Sequence, residues 1–146
     1  AVICYILEVY GVKTGKIFGD YSYGKTFGLS LLGVPLIIAL NWSVVVWGAI
    51  AIIETLLKNK ICIIFLAPVL TTLFDYILEP IAIQFGYWKW SGGVIPLQNY
   101  IAWYLIALVF TIFYVFLNCK TKNKVPITVF VVQFIYFILL QLALII

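Results

Sequence analysis

The sequence predicts an all-α, polytopic membrane protein with about five spanning helices and an internal two-helix repeat. Of its 146 residues, 66% are hydrophobic and only 10% are charged, and the mean hydropathy is +1.20. A soluble domain is about a quarter charged, so these few charges cannot cover a surface exposed to water. The apolar residues also form long runs without the alternation of a strand, and most runs approach the ~20 residues that a spanning helix needs.

Five apolar runs predict the helices in chain order. Their ranges are 1–10, 28–57, 61–85, 99–117 and 126–146. The first run is about half a span, so we expect it to be the end of a helix in a natural protein that is longer than this chain. Pro35 and Pro126 fall near the starts of their runs, where a helix tolerates proline. The whole chain, 1–146, is predicted to form a single transmembrane helical domain.

The connections between these runs are of two kinds, and they predict the topology. Residues 11–27 and 86–98 are rich in Gly, Tyr and Trp, whereas the turns at 58–60 and 119–125 are short and rich in lysine. With five spans the two kinds fall on opposite faces, and the positive-inside rule favours the lysine turns as cytoplasmic. These turns hold Lys58, Lys60, Lys120, Lys122 and Lys124, five lysines against the four on the other side, Lys13, Lys16, Lys25 and Lys89. Lysines placed in this way indicate topology rather than nucleic-acid binding.

Several chemistries are excluded by what the sequence lacks. It has no histidine, which excludes imidazole bases, histidine-ligated haem and the usual zinc or di-iron sites. Cys4, Cys62 and Cys119 are isolated in apolar surroundings and are read as small buried hydrophobes. No aspartate-rich diphosphate–magnesium motif and no nucleotide-binding GK(S/T) motif is present. We therefore expect neither a metal nor a cofactor.

Two stretches of the chain follow one pattern: YILE, then F-G-x-aromatic-x-aromatic, then G-V, and finally P-L-x5-W. Glu8 and Trp42 are the glutamate and the tryptophan of this pattern in one copy, and Glu79 and Trp103 are those in the other. A period of ~70 residues indicates a repeated structural unit, here at about 5–57 and 76–118. Two spans per copy predict a pseudo-two-fold axis along the membrane normal, with equivalent residues meeting near it. The alternative is chance similarity in a low-diversity apolar alphabet.

Three carboxylates near the ends of apolar runs are the predicted catalytic residues: Asp75, Glu79 and Glu8. The first two are four residues apart and share a helix face, and Glu8 should lie at the depth of Glu79. Ionisable groups inside a span are costly and usually functional. Desolvation and mutual repulsion should keep at least one protonated at neutral pH, as a general acid requires. Alternatively, the glutamates contact headgroup water or lysines such as Lys13 and Lys89.

Aromatic residues accompany these acids in both copies. Aromatic faces stabilise cations, so the combination suits protonation of an alkene and stabilisation of the carbocation that follows. An interfacial aromatic belt is the alternative, although it explains tryptophans inside a span poorly. Amides at Asn41, Gln84, Gln98 and Asn99 could position a water molecule. The predicted substrate-binding residues are Tyr21, Tyr23, Trp42, Tyr87, Trp88, Trp90, Asn99 and Trp103.

These motifs resemble the membrane carotenoid biosynthesis family that includes γ-carotene 1′-hydroxylase and bisanhydrobacterioruberin hydratase. The similar stretch runs from residue 8 to about residue 103, and its most specific elements are Asp-x3-Glu-Pro from Asp75 and Gly-Tyr-Trp-x-Trp from Gly86. The family pattern also implies N-terminal helices that this chain lacks, and a glycine where the chain has Ala102. The aromatic and Pro-Leu motifs are also similar to those of membrane-type lycopene cyclase domains.

The resemblance implies cofactor-free hydration of a carotenoid end group to a tertiary alcohol. We expect the polyene to lie in grooves between helices, in a bacterial or archaeal cytoplasmic membrane, with no nucleic-acid partner. A lycopene-cyclase-like isomerase is the first alternative, because it shares the protonation step. A small carrier or proton-coupled transporter is the second. The oligomeric state is left open, a homo-oligomer included.

Overall fold

The computed structural model describes residues 1–121 and 123–145, and four of its helices are long and apolar enough to cross a membrane. The predicted helical membrane fold is therefore confirmed. Lys122 and Ile146, which fall in a predicted turn and at the end of the last predicted span, lie outside the described residues. The elements in chain order are α1 (Val2–Thr14), β1 (Tyr21–Tyr23), β2 (Ser30–Leu31), β3 (Val34–Pro35), α2 (Leu36–Leu56), α3 (Lys60–Gln84), β4 (Trp88–Trp90), α4 (Leu97–Phe116) and α5 (Val125–Ile145).

Local sequence signals explain where the helices begin and end. Helix α1 ends at Gly15, which adopts a left-handed φ of 64° and donates its N–H to the Gly11 carbonyl at 2.8 Å. Helices α2 and α4 each start directly after an extended proline, Pro35 and Pro96, whose missing N–H is no loss at a helix start. The Asn59 side chain accepts two N–H groups of the first turn of α3, which satisfies donors that the helix itself leaves free.

The second predicted span was wrong at its start, because residues 28–35 are not helical. Strands β2 and β3 pair antiparallel there as a short hairpin, and α2 begins only at Leu36. Leu32 and Gly33 make the turn with φ values of 53° and 83°, a left-handed conformation that glycine adopts without strain. The apolar run conceals this turn, since Leu29, Leu31 and Leu32 read like the beginning of a span.

Helix α3 lies at the centre of the bundle and packs against α2, α4 and α5. Helix α2 also packs closely against α5, and Gly48 is the reason: a Cβ at that position would lie 2.7 Å from both Phe130 Cβ and the Pro126 carbonyl oxygen. Small residues let membrane helices approach in this way. Helix α5 leaves many large apolar side chains exposed, as expected of a surface covered by lipid.

The two kinds of connection lie at opposite ends of the bundle. The lysine-bearing turns meet at one end, where Lys60 Nζ donates to Asn118 Oδ1 at 2.9 Å and Trp47 Nε1 donates to Thr121 Oγ1 at 2.6 Å. The aromatic connections meet at the other end, where β1 and β4 form an antiparallel ribbon. The ribbon closes the end of the bundle at which α1 and α3 finish.

Candidate active site

Three carboxylates line one cavity of about 410 Å³ beneath the ribbon. Glu8 comes from α1, and Asp75 and Glu79 lie one turn apart on α3. Their side chains are only 3%, 1% and 2% exposed, respectively. The alternative in which the glutamates contact headgroup water or lysines therefore does not describe this geometry. Their hydrogen-bond partners are aromatic side chains and, for Glu79, also Asn99.

The ribbon supplies those aromatic partners. Its register pairs Tyr21 with Trp90 and Tyr23 with Trp88, and because strand residues alternate in direction, all four side chains can face the cavity together. Tyr21 and Tyr23 donate their hydroxyl groups to Glu8 Oε2 at 2.5 and 2.7 Å. Trp88 and Trp90 donate their indole N–H groups to Glu79 Oε2 at 3.0 and 2.9 Å. Each glutamate is thus held by two donors from one strand.

The two tyrosines keep their protons. Burial, and after it the charge of Glu8, raises the pKa of Tyr21 and of Tyr23 above the ordinary value for tyrosine. Both phenols therefore remain hydrogen-bond donors throughout the neutral range, and Glu8 Oε2 remains an acceptor for both.

Asn99 joins the two acids of α3. From the first turn of α4, its Nδ2 donates to Asp75 Oδ2 at 2.7 Å and to Glu79 Oε1 at 3.2 Å. The second carboxyl oxygen of Asp75, Oδ1, is buried and has no hydrogen-bond partner in the described part of the chain. A buried polar atom without a partner is costly and needs an explanation. Asp75, which lines the cavity, therefore has one satisfied oxygen and one buried oxygen without a partner.

A stacked pair of tryptophans forms another wall. Trp42 of α2 and Trp103 of α4 lie with ring centroids 3.4 Å apart and planes 12° from parallel. Phe18 packs against Trp42 at a centroid distance of 5.8 Å. Tyr87 lines the cavity as well, and its ring lies 4.5 Å from that of Phe27. All eleven residues that the sequence predicted as catalytic or substrate-binding line this one cavity.

Two amide side chains have positions that the sequence did not predict. Gln98 donates to the carbonyls of Gly15, Lys16 and Ile17 at 3.3, 2.7 and 3.1 Å, so it anchors the connection after α1 rather than a water in the cavity. Gln133 of α5, which the prediction did not include, lines the cavity and donates to Asn41 at 3.0 Å. Its only sequence signal is that it is an amide in an apolar span. Among the residues that the structure describes, no cluster of three or more acidic or cysteine side chains could hold a metal ion.

Fold and cavity together define a helical membrane protein with a cavity lined by carboxylates and aromatic rings. A protein-family model described as "Carotenoid biosynthesis protein" matches residues 1–146. The chain belongs to this family. It is also similar to the bisanhydrobacterioruberin hydratase of Haloarcula japonica, with 33% identity over 109 residues that cover 69% of this chain and 37% of that protein. The chain thus matches little more than a third of that relative's length, and no solved structure matches it significantly.

Proposed function

We propose that this protein is a carotenoid biosynthesis enzyme that adds water across a terminal carbon–carbon double bond of an acyclic carotenoid. The observation that carries the proposal is Asp75 Oδ1, a buried carboxyl oxygen without a partner in the wall of an otherwise largely apolar cavity. A proton on this oxygen has no acceptor in the described part of the protein. The double bond of a bound end group is then the acceptor for it.

The cavity suits the end of a polyene rather than the whole molecule. Its volume of about 410 Å³ lies at the smaller end of the range for small-molecule pockets, ~300–1,000 Å³. An extended carotenoid is comparable in length with the hydrocarbon core of a bilayer, ~30 Å. We therefore assign the cavity to the reacting end group, with the remainder of the polyene lying between helices or in lipid.

The absence of a positive counter-charge supports a protonated acid. No lysine is among the described residues that line the cavity, and a buried carboxylate without a cation favours its neutral form. Asn99 donates to Asp75 Oδ2, so it would stabilise the carboxylate that remains once the Oδ1 proton has left. This combination suits a general acid whose proton is transferred during the reaction.

The reaction begins with proton transfer from Asp75 to the less substituted carbon of the terminal double bond. The π electrons form the new C–H bond and leave a positive charge on the tertiary carbon. Aromatic side chains at Trp88, Trp90, Tyr21 and Tyr23 line this cavity, and aromatic faces attract cations. The cation would thus be stabilised without a metal or an external electron acceptor.

Capture by water completes the reaction. A water molecule oriented by Glu8 or Asn99 forms the C–O bond through its oxygen, and its surplus proton passes to a carboxylate, for which Glu8 and Glu79 are the candidates. Return of that proton to Asp75 restores the enzyme. The name of the similar Haloarcula japonica protein, a hydratase, supports water addition over cyclisation. The archaeal source of that relative supports a bacterial or archaeal membrane as the location.

The test is the carotenoid content of lycopene-producing cells with and without this protein. Hydration gives a product heavier by one water molecule, which mass spectrometry detects, and deuterated water should place one deuterium on the carbon next to the new alcohol. An isomer of unchanged mass would instead indicate a cyclase. Unaltered carotenoids, despite verified insertion into the membrane, would contradict an enzymatic role and favour a carrier or transporter.

A further inference from the structure

A second polar group lies in the same cavity, on the side formed by α2 and α5. Gln133 Nε2 of α5 donates to Asn41 Oδ1 of α2 at 3.0 Å, and both residues line the cavity. Gln133 Oε1 is buried and has no hydrogen-bond partner among the described residues. In the described part of the chain, Asp75 Oδ1 and Gln133 Oε1 are the two buried side-chain oxygen or nitrogen atoms that have no hydrogen-bond partner. Both partnerless oxygens therefore belong to residues of one cavity.

The residues around Gln133 give no structural reason for an amide side chain at this position. Neighbouring side chains of the cavity wall on these two helices are apolar, among them Val44, Val129 and Phe137. Lipid offers no donor to an amide oxygen, and leaving such an oxygen unpaired when buried is unfavourable. An apolar residue would fill the position without that cost. A bound molecule that carries an O–H group would satisfy it.

This side of the cavity also reaches the lipid-facing surface. Ile37 and Leu40 of α2 line the cavity although 47% and 56% of their surface is exposed. Asn41 follows Leu40 in α2 and lines the same cavity, so one member of the amide pair is next in sequence to a residue of this opening.

We propose that Asn41 and Gln133 form a hydroxyl-binding subsite in which Gln133 Oε1 accepts a hydrogen bond from an O–H group. The inference builds on the proposed hydration, which supplies two such groups: the attacking water and the alcohol of the product. The chemistry required of the ligand is the same for both, an O–H donor next to an apolar wall. Neither group is an acid or a base in this subsite, so the pair binds and positions without exchanging protons.

Binding distinguishes the two sources. The protein in lipid nanodiscs is titrated with lycopene and with its monohydroxylated derivative, and quenching of tryptophan fluorescence is followed. If the alcohol occupies the subsite, Gln133→Leu should weaken binding of the hydroxylated carotenoid about fivefold to tenfold, the value of one hydrogen bond, and leave lycopene binding unchanged. If water occupies it, both affinities should stay the same while the rate of hydration falls by a similar factor.

Two further variants make the test decisive. Gln141→Leu is the matched control, because Gln141 lies on the same helix but donates to the Ile77 carbonyl at 2.7 Å and is not among the residues lining the cavity. Asn41→Leu removes the other half of the subsite, on α2, and should change binding or rate in the same way as Gln133→Leu. This variant tests the proposal if Gln133→Leu does not fold.

Unchanged binding and unchanged rate in both subsite variants would overturn the proposal. An equal effect of Gln141→Leu would overturn it as well. If the wild-type protein hydrates nothing, the binding arm alone decides: a preference for the hydroxylated carotenoid that the variants lose supports the subsite, and absence of such a preference overturns it. Failure of the proposed function is thus separable from failure of the subsite.

Discussion

Asp75 differs from the two glutamates in how its oxygens are used. Glu8 and Glu79 each accept two hydrogen bonds on one oxygen from the aromatic ribbon, which fixes their orientation. Asp75 accepts on Oδ2 from Asn99, and its buried Oδ1 has no partner in the described part of the chain. A group that must lose a proton to a substrate needs a free oxygen of this kind, so we expect the three acids to differ in function despite their proximity.

Asp75→Asn should abolish hydration, with a rate at least ~10²–10⁴-fold lower, the contribution of a positioned general acid. The amide has nearly the same size and can still accept from Asn99, so membrane insertion should be retained. Product formation is measured by mass spectrometry at matched expression. Lys58→Ala is the control and should be nearly silent, because among the described residues Lys58 donates to the Glu54 carbonyl alone, at the far end of the bundle. Full activity of Asp75→Asn would remove Asp75 as the acid.

Trp88 should contribute through its ring more than through its N–H group. Trp88→Phe loses the hydrogen bond to Glu79 but keeps an aromatic face, whereas Trp88→Leu loses both. A cation–π interaction is worth ~0.5–2 kcal/mol, so the leucine variant should be slower than the phenylalanine variant by about 2-fold to 30-fold. Initial rates of the two variants check this. Equal losses would assign the contribution of Trp88 to its hydrogen bond alone.

At the scale of elements, the ribbon and the tryptophan stack have the relationship that a duplication requires. We propose that 5–57 and 76–118 are two copies related by a pseudo-two-fold axis. In each copy, the glutamate accepts from the two aromatic residues of its own strand. The strands pair about Ser22 and Lys89, which are equivalent positions, and the stacked Trp42 and Trp103 are equivalent as well. All three features support an axis through the middle of the cavity.

The duplication predicts that residues 5–42 superpose on residues 76–103, apart from the longer first connection that holds the β2–β3 hairpin. The copies would differ chemically, because Cys4 and Ile38 stand where the second copy has Asp75 and Asn99. An acid present in only one copy would make one end of the site reactive. An experimental structure is the measurement. Antiparallel units, or glutamates facing opposite membrane surfaces, would contradict the duplication.

Next to the ribbon, the chain after β1 passes so close to the chain before β4 that only a glycine fits, at Gly24. Gly24 donates its N–H to the Tyr87 carbonyl at 2.8 Å, and a Cβ on Gly24 would lie 2.0 Å from the Gly86 carbonyl oxygen. Gly24→Ala should therefore displace the strands and cost ~1–3 kcal/mol of unfolding free energy, as overpacking does. Gly92→Ala is the matched control, since a Cβ there meets nothing within 4 Å. Thermal unfolding in detergent compares them, and equal midpoints would contradict this account of the ribbon.

The elements also explain which parts of the structure were predictable. Long apolar runs gave the helices, because burial in lipid requires ~20 such residues whatever the partners are. The β2–β3 hairpin was missed because its turn lies inside an apolar run. The β1–β4 ribbon was missed because Tyr-Ser-Tyr and Trp-Lys-Trp are three-residue strands that pair between distant parts of the chain. Gln133 was missed because the sequence of a lone span does not tell which of its sides faces the cavity.

At the scale of the whole molecule, the candidate site occupies one end of the helical bundle. The carboxylate cavity and its ribbon lie at one end, and the lysine-bearing turns meet at the other. A lipid-soluble substrate would reach the cavity from the side, past α2 and α5, and would not cross the charged turns. The buried acids thus lie toward one end of the bundle, from which water can be supplied, and a polyene bound as proposed would extend into the hydrocarbon region.

This arrangement predicts the membrane orientation, because the positive-inside rule places the lysine turns in the cytoplasm. Cys119 is exposed in one of those turns, and Lys89 is exposed in the ribbon at the opposite end. In cells that carry the additional Cys62→Ala substitution, a membrane-impermeant maleimide should label Lys89→Cys in intact cells but should label Cys119 only after permeabilisation. Cys4 is buried and should remain unlabelled in the folded protein.

Labelling of Cys119 in intact cells, with Lys89→Cys protected, would reverse the orientation. Labelling of both from one side would contradict the crossing of the membrane by α4, the helix between the two positions.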